Sequence, residues 1–158
     1  MTDSKRLASN DTPLTELRKT MSGLEYVEAL RDQRIPLAPM AKTIGYQFME
    51  VRKGRVTLAV TPGSHLFNNW TLHGGAMATI LDSAMSAAVN SEMPVGARCR
   101  TLELKINYLD GPTADTGELF ARAGTIQVRN RIALVQGKLE DAEGNLYAHA
   151  TATFSVKR

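Results

Sequence analysis

The chain has 158 residues, of which 43% are hydrophobic and 22% are charged, the composition of a globular domain rather than of a disordered segment. Nineteen Lys and Arg against 16 Asp and Glu leave a formal net charge of +3, and the sequence shows no clustered basic stripe of the kind that binds nucleic acid. A lone cysteine, Cys99, excludes a disulfide framework and a thiolate metal site within one chain. No apolar run of signal-peptide length follows Lys5 and Arg6, so we expect a cytoplasmic protein without a membrane anchor.

The N-terminal region predicts a tail followed by a helix. Residues 1–13 are polar and predict a loose tail, and the rest of the chain predicts one domain over residues 14–158. Apolar side chains then recur at helical spacing, and Ser22 with Glu25 forms the Ser-x-x-Glu pattern of a capping box. Two prolines end the pattern. The sequence therefore predicts a helical extension over residues 14–35 that packs on the domain or on a second subunit.

Most of the remaining chain has the patterns of β-strands. Beyond Pro39, residues 43–52 and 55–61 are apolar segments joined by Lys53-Gly54, which is a hairpin signal. Four more strand-like segments follow in the second half of the chain, at residues 102–108, 117–129, 131–140 and 146–156.

The middle segment, residues 74–91, differs from the rest because small or apolar residues occupy nearly every helical face and Asp82 is its only charged residue. Such a helix should be buried all round. It is not a membrane span, because it contains two glycines, several hydroxyl side chains and the central Asp82. A single buried helix needs a sheet to wrap it, so the sequence predicts an α+β fold in which a curved antiparallel sheet surrounds one central helix.

Asp82 is the first candidate for a catalytic role. A lone buried carboxylate is costly unless it is hydrogen-bonded, paired or neutralised, and a helix selected for stability alone would carry an apolar residue there. The plain structural alternative is an Asp that points to solvent or caps a neighbouring loop. The helix offers no polar face for that alternative, so we favour a functional role.

His73, Gly74 and Gly75 open the same helix. Two glycines let the backbone approach a ligand closely, and the first N–H groups of a helix have no internal partner and lie at its positive end. These groups can bind an oxyanion, although a structural loop end and a structural histidine are the plain alternatives. About two helical turns separate this motif from Asp82. A substrate carbonyl could use both features only by running beside the helix or with help from a second subunit.

Two further polar segments are candidates for substrate contact. Asn68 and Asn69 precede the helix and could hydrogen-bond a carbonyl, but Asn in loops usually serves turn geometry. Arg129, Asn130 and Arg131 stand between two strands, where they are either a solvated turn or a phosphate contact, since guanidinium groups bind phosphate bidentately.

Other chemistries find no motif in the sequence. His65, His149 and Asp82 have no recognisable metal spacing, so we assign no metal and no cofactor. The chain has no Gly-x-Ser-x-Gly elbow and no Walker or dinucleotide fingerprint, which argues against a serine hydrolase and a nucleotide-binding enzyme.

The motifs together resemble those of the hotdog-fold acyl-CoA thioesterases, and the nearest branch is similar to the phenylacetate-degradation thioesterases. The resemblance covers roughly residues 22–156. It rests on His73-Gly-Gly followed by Asp82, on the strand Thr101-Leu-Glu-Leu-Lys-Ile-Asn-Tyr108, and on the closing strand Leu146-Tyr-Ala-His-Ala-Thr-Ala-Thr-Phe154.

The resemblance implies a hotdog dimer, often paired into a tetramer, with active sites between subunits and an acyl-CoA as substrate. It implies that Asp82 is the general base or nucleophile, that the Gly74 N–H polarises the thioester carbonyl, and that His73 supports that turn. It further implies that Thr101 reaches the site from the partner subunit and that the turn of Arg129, Asn130 and Arg131 lies near the phosphates of CoA. Relatives often carry Asn where this chain has Phe67 and Gly where it has Trp70.

We therefore expect a homo-oligomeric thioester hydrolase that converts an apolar or aryl acyl-CoA to a carboxylic acid and CoA, without nucleic-acid or membrane partners. The altered loop residues leave open a hotdog protein that binds acyl-CoA without cleaving it. Dehydratase or hydratase chemistry on the same fold is a third and weaker alternative.

Overall fold

The computed structural model describes residues 14–17 and 19–157, so the tail predicted over residues 1–13 lies outside the described residues. Four helices and eight strands follow in the order α1 (Leu14–Leu17), α2 (Gly23–Arg31), α3 (Pro39–Ile44), β1 (Gln47–Arg52), β2 (Arg55–Val60), β3 (Phe67–Asn68), β4 (Thr71–Leu72), α4 (Gly74–Ser91), β5 (Arg98–Tyr108), β6 (Leu119–Arg129), β7 (Ile132–Asp141) and β8 (Leu146–Lys157). Two short 3₁₀ helices lie at Ser64–Leu66 and Ala114–Thr116.

Six strands form one antiparallel sheet in the order β1-β2-β6-β7-β8-β5, and β3 with β4 forms a separate small hairpin. Helix α4 packs against β2, β5, β6, β7 and β8 of this sheet. The predicted architecture, a curved antiparallel sheet around one central helix, is therefore confirmed. None of the helices in the described part of the chain combines the length and the hydropathy needed to cross a bilayer.

The central helix has the predicted bounds, residues 74–91, and its apolar side chains are buried. Ile80, Leu81, Ala84 and Met85 are fully buried. The strands beneath the helix carry small side chains: a Cβ atom added at Gly137 would lie 3.1 Å from Met85, and β8 faces the helix with a run of buried alanines. Small residues on the strands let the large residues of the helix lie close to the sheet.

The N-terminal region differs from the single helix predicted over residues 14–35. The capping box is present, since Ser22 Oγ accepts the Glu25 N–H and the Glu25 carboxylate accepts the Ser22 N–H. A capping box begins a helix, so it separates α1 from α2 rather than lying inside one helix. Helix α2 ends at Arg31, before the prolines.

The strand predicted over residues 43–52 begins later than expected. Pro39 does not end helical structure but begins α3, because its fixed φ and missing N–H suit the first position of a helix. Gly45 ends α3 with a φ of 85°, in the left-handed region, and β1 begins at Gln47. Residues 43 and 44 are therefore helical.

Helix α2 is anchored to the end of the central helix at Gly23. Its N–H donates to the Met93 carbonyl at 2.8 Å, and a Cβ atom at this position would lie 1.6 Å from the Asn90 carbonyl oxygen. Only glycine permits this close approach between α2 and the C-terminal end of α4.

Strand β5 is one edge of the sheet, and it contains an irregularity that bears on the site. Thr101 pairs with Phe154 and Glu103 with Thr153, so Leu102 is an extra residue, a β-bulge. Leu102 is 58% exposed. Edge strands present unpaired backbone groups, and exposed apolar side chains on an edge favour pairing with another chain.

We expect Gly23→Ala to lower the free energy of unfolding by about 3 kcal/mol or more, because the new methyl group can be accommodated only if backbone segments move apart. Gly124→Ala is the matched control, since its Cβ would meet no atom within 4 Å and its φ is not positive. We expect the control to change stability by no more than about 0.5 kcal/mol. Urea denaturation measures both, and equal stability of the two variants would contradict the packing described here.

Candidate active site

The start of helix α4 leaves one backbone donor available. His73 is the N-cap, with its Nδ1 atom accepting the Gly75 N–H at 2.8 Å. The His73 carbonyl oxygen accepts the N–H groups of Ala76 and Met77. Among the described residues, the Gly74 N–H donates no hydrogen bond. Of the two glycines, Gly74 is therefore the one that can offer its amide to a ligand.

His73 stabilises the first turn of α4 through its side chain. Because Nδ1 accepts a hydrogen bond, the neutral ring carries its proton on Nε2. A Cβ atom at Gly75 would lie 3.0 Å from His73 Nδ1, which explains why a glycine follows at that position. His73 thus orients the first turn and leaves the neighbouring Gly74 amide free.

Tyr108, at the end of β5, connects the edge strand to the same helix start. Its hydroxyl group donates to the Gly74 carbonyl oxygen at 2.9 Å. A Cβ atom at Gly74 would lie 3.4 Å from the Tyr108 ring, an ordinary contact distance. Tyr108 was not among the site residues predicted from sequence, since only the pairing of β5 beside α4 brings it to Gly74.

Asp82 lies two turns along α4 and is half-buried. Thr101 Oγ1 donates to Asp82 Oδ1 at 2.9 Å. Within the described part of the chain, Oδ2 receives no hydrogen bond and the carboxylate forms no ion pair. One oxygen is therefore fixed by Thr101, and the other is available to accept a proton or to attack an electrophile.

A buried tyrosine lies close to this carboxylate. Burial raises the pKa of the Tyr46 phenol, a hydrogen bond with Ser83 lowers it, and the negative charge of Asp82 raises it further. Tyr46 comes just before β1 and its ring makes an edge-to-face contact with Phe48. The sequence analysis missed Tyr46, because its spacing to Asp82 along the chain gives no sign of their proximity.

The contact of Thr101 with Asp82 shows which site residues belong together within one chain. Thr101 bonds to Asp82 of its own chain because β5 runs beside α4, so a site that receives Thr101 from a partner subunit receives Asp82 from the same subunit. Gly74 and Asp82 of one chain are separated by eight residues, or about 12 Å along the helix axis. One carbonyl group cannot contact both groups of the same chain.

The predicted loop asparagines lie on the β3–β4 hairpin. Asn68 pairs with Thr71, and Asn69 follows in the turn with a φ of 60°. Both are exposed, and no hydrogen bond joins either side chain to Gly74 or Asp82. Turn geometry accounts for Asn69, since Asn tolerates the left-handed region.

The predicted basic turn joins a larger group of cations. Asn130 has a φ of 56° in the β6–β7 turn, and the Arg131 carbonyl accepts the Val156 N–H. Strand pairing places further basic residues at the same end of the sheet, since residue 98 lies opposite residue 157 and residue 100 opposite residue 155. We call this group the basic end; it consists of Arg98, Arg100, Arg129, Arg131 and Lys157, all exposed and none in an ion pair among the described residues.

Comparison with known proteins identifies the family. The family model of the thioesterase superfamily matches residues 69–148, which is half of the chain and includes α4 with its N-terminal motif. The chain belongs to the thioesterase superfamily. The predicted resemblance to hotdog-fold thioesterases is thereby confirmed. The assignment of Asp82, Gly74 and Thr101 to catalysis stays a prediction.

Individual relatives are similar over different spans. A protein of Halobacterium salinarum, provisionally named an esterase, is 30% identical over 95 residues, 55% of this chain and 61% of that one, so the match spans about three fifths of the relative. A phenylacetic acid degradation-related protein of Ralstonia eutropha is 26% identical with a TM-score of 0.75, covering 82% of this chain and 98% of that one. The PaaI protein of the E. coli phenylacetic acid degradation operon shares the fold, with a TM-score of 0.74, 17% identity and coverage of 84% and 94%.

Proposed function

We propose that this thioesterase-superfamily protein hydrolyses an apolar or aryl acyl-CoA to a carboxylic acid and CoA. The observation that carries the proposal is the half-buried carboxylate of Asp82, held by Thr101 through one oxygen, on a helix whose first amide is free. A carboxylate and an oxyanion donor are the two groups that thioester hydrolysis requires of a protein.

The reaction begins when the substrate carbonyl oxygen accepts the Gly74 N–H. The positive end of the α4 dipole adds to the polarisation of the carbonyl group. Asp82 then either removes a proton from an attacking water or attacks the carbonyl carbon itself and forms a mixed anhydride that water later cleaves. In both cases the new C–O bond forms first, the Gly74 N–H stabilises the negative charge on the carbonyl oxygen, and the C–S bond then breaks. The leaving CoA thiolate takes up the proton that Asp82 removed from water or, when Asp82 attacks directly, a proton from solvent. Thr101 keeps the carboxylate in place throughout.

Because Gly74 and Asp82 of one chain lie about 12 Å apart along the helix, we propose that a dimer brings the two groups together. If the edge strand β5 pairs antiparallel with β5 of a second copy, a two-fold axis reverses the direction of the partner helix. The partner's Gly74 then approaches Asp82, and the partner's Asp82 approaches Gly74. Each site takes its carboxylate and Thr101 from one protomer and its oxyanion donor from the other. Two such dimers can pair as a tetramer.

The basic end provides a partner for the phosphates of CoA. Arg98 is three residues before Thr101 on β5, about 10 Å along the strand, so the basic end begins close to the strand residue that holds Asp82. Phosphate groups pair with exposed guanidinium groups by charge-assisted hydrogen bonds. Binding of acyl-CoA without cleavage is the alternative, favoured by the exposed Asn68 and Asn69, whose side chains form no hydrogen bond with Gly74 or Asp82. Thiol release from an acyl-CoA panel decides between the two.

We expect Gly74→Pro to reduce kcat by about 10²- to 10³-fold, because it removes the oxyanion donor alone. Proline suits the first position of a helix, and His73 has φ −60° and ψ 132°, which a following proline tolerates. Gly74→Ala is the control, since it keeps the N–H and places its Cβ at an ordinary distance from Tyr108. Thiol-release kinetics compare the two variants. Equal turnover by both would exclude Gly74 as the donor.

We expect mixed dimers of two inactive variants to regain activity. A protomer with Asp82→Asn and a protomer with Gly74→Pro together form one site with both defects and one intact site. Random mixing by co-refolding should restore about a quarter of wild-type turnover, since half of the dimers are mixed. Each variant refolded alone is the control. A mixture that stays inactive would mean that the site does not form between subunits.

We expect the double variant Arg129→Gln/Arg131→Gln to raise KM for an acyl-CoA by about tenfold at low ionic strength, with kcat unchanged. The increase should shrink as salt is added, because exposed charges are screened. An N-acetylcysteamine thioester, which has no phosphate, is the control substrate, and Lys42→Gln/Lys53→Gln is the control variant with two exposed cations elsewhere. The same increase for the phosphate-free substrate would rule out a phosphate contact.

A further inference from the structure

Three large exposed side chains lie in the two segments next to the start of helix α4, the β3–β4 hairpin that leads into the helix and the end of β5. Trp70 is 86% exposed, Leu109 is 58% exposed and Tyr108 is 51% exposed. Tyr108 contacts Gly74 directly, and Leu109 follows it in the chain. We call Trp70, Tyr108 and Leu109 the aromatic end. Tyr108 connects it to Gly74, and neither the fold nor the proposed chemistry described above uses Trp70 or Leu109.

The backbone around Trp70 is held in place. Trp70 is in the turn of the β3–β4 hairpin, and the Leu72 N–H at the base of the hairpin donates to the Pro112 carbonyl at 2.8 Å. A Cβ atom at Gly111 would lie 2.8 Å from Thr71, so β4 packs directly on the backbone after β5. The exposed indole therefore has a fixed support rather than a loose loop.

The indole is within reach of a ligand at Gly74. Trp70 precedes Gly74 by four residues, so their Cα atoms are at most about 14 Å apart. The indole ring extends from a backbone that is connected to the helix start by β4 alone. This span is short enough for an aromatic or extended acyl group whose carbonyl oxygen accepts the Gly74 N–H, and contact of that group with the indole ring is the inference drawn below.

Charge separates the two ends of β5. Residues 62–96 and 106–121, which build the aromatic end, contain no Lys or Arg. The basic end begins at Arg98, ten residues and about 33 Å along β5 from Tyr108. The segments of the aromatic end offer phosphate groups no cation of their own, so we assign the uncharged acyl part of the substrate to the aromatic end.

We propose that Trp70, with Tyr108 and Leu109, binds the acyl group of the substrate and selects aromatic or extended apolar acyl groups over short ones. The inference rests on the proposed function. In the proposed dimer, the two protomers bind different parts of the substrate. The protomer that supplies Gly74 binds the acyl group, and the protomer that supplies Asp82 binds the CoA phosphates. Trp70 is a specificity residue that contacts the substrate away from the reacting atoms.

Kinetics with three esters test the selection. We expect Trp70→Ala to lower kcat/KM for benzoyl-CoA and hexanoyl-CoA by about tenfold, which corresponds to about 1.4 kcal/mol, and to leave acetyl-CoA unchanged. Trp70→Phe should recover most of the loss for benzoyl-CoA. Ile126→Ala, which removes another exposed apolar side chain, is the control. An equal loss for all three esters, or none for any of them, would overturn the assignment.

Fluorescence tests the contact without turnover. Trp70 is the only tryptophan of the chain, so indole emission reports on it alone. In the Asp82→Asn variant, we expect saturating benzoyl-CoA to change the emission and saturating CoA to leave it nearly unchanged, with calorimetry confirming that both bind. The same change with CoA alone would move the contact to the CoA part. A blue-shifted emission of the free protein that disappears on dilution would place the indole in a subunit contact instead, and either result refutes the inference.

The two proposals fail in different ways. Wild-type protein that binds the esters but releases thiol from none of them refutes the hydrolase, while the fluorescence result still decides the role of Trp70. Wild-type protein that cleaves all three esters, with no change in their relative kcat/KM in Trp70→Ala, refutes the acyl contact alone.

Discussion

The hydrogen bond from Thr101 to Asp82 is the interaction on which the candidate site depends. Helix α4 carries no other charge, and its remaining faces are packed against small residues of the strands. A carboxylate in such a place needs a donor, because its desolvation is otherwise uncompensated. The donor comes from the edge strand β5 rather than from the interior of the sheet. Asp82 is therefore stabilised at the border between the core and the surface where a second chain would pair.

Strand β5 organises the whole candidate site. Its beginning carries cations, its middle holds the carboxylate through Thr101, and its end fixes the helix start through Tyr108. These three functions lie along one extended segment. Antiparallel pairing of two copies would therefore bring the beginning of β5 of one chain beside the end of β5 of the other. The same geometry that keeps Gly74 and Asp82 of one chain apart makes them complementary between the two chains of the proposed dimer. This is the physical reason for proposing that activity depends on assembly.

The bounds of α4 were predictable because an apolar helix with Gly-Gly at its start has an unambiguous pattern, and Asp82 was conspicuous in it. The prediction of one helical extension over residues 14–35 was wrong in its continuity. The helical spacing of apolar residues continues across Ser22, but the capping box at Ser22 begins a second helix. The basic end was missed as a whole because its residues come from three strands, and their proximity depends on register, which side-chain patterns do not give. Tyr46 and Tyr108 were missed for the same reason.

The extra residue Leu102 in β5 has a further consequence. In a regular strand, side chains alternate between faces, so Thr101 and Tyr108, seven positions apart, would point in opposite directions. The bulge shifts the alternation by one, and both hydroxyl groups meet α4. Removing that single residue would turn one of them away from the helix. The one extra residue in β5 thus determines which side chains face α4, and it allows the same strand to hold both the Asp82 carboxylate and the start of the helix.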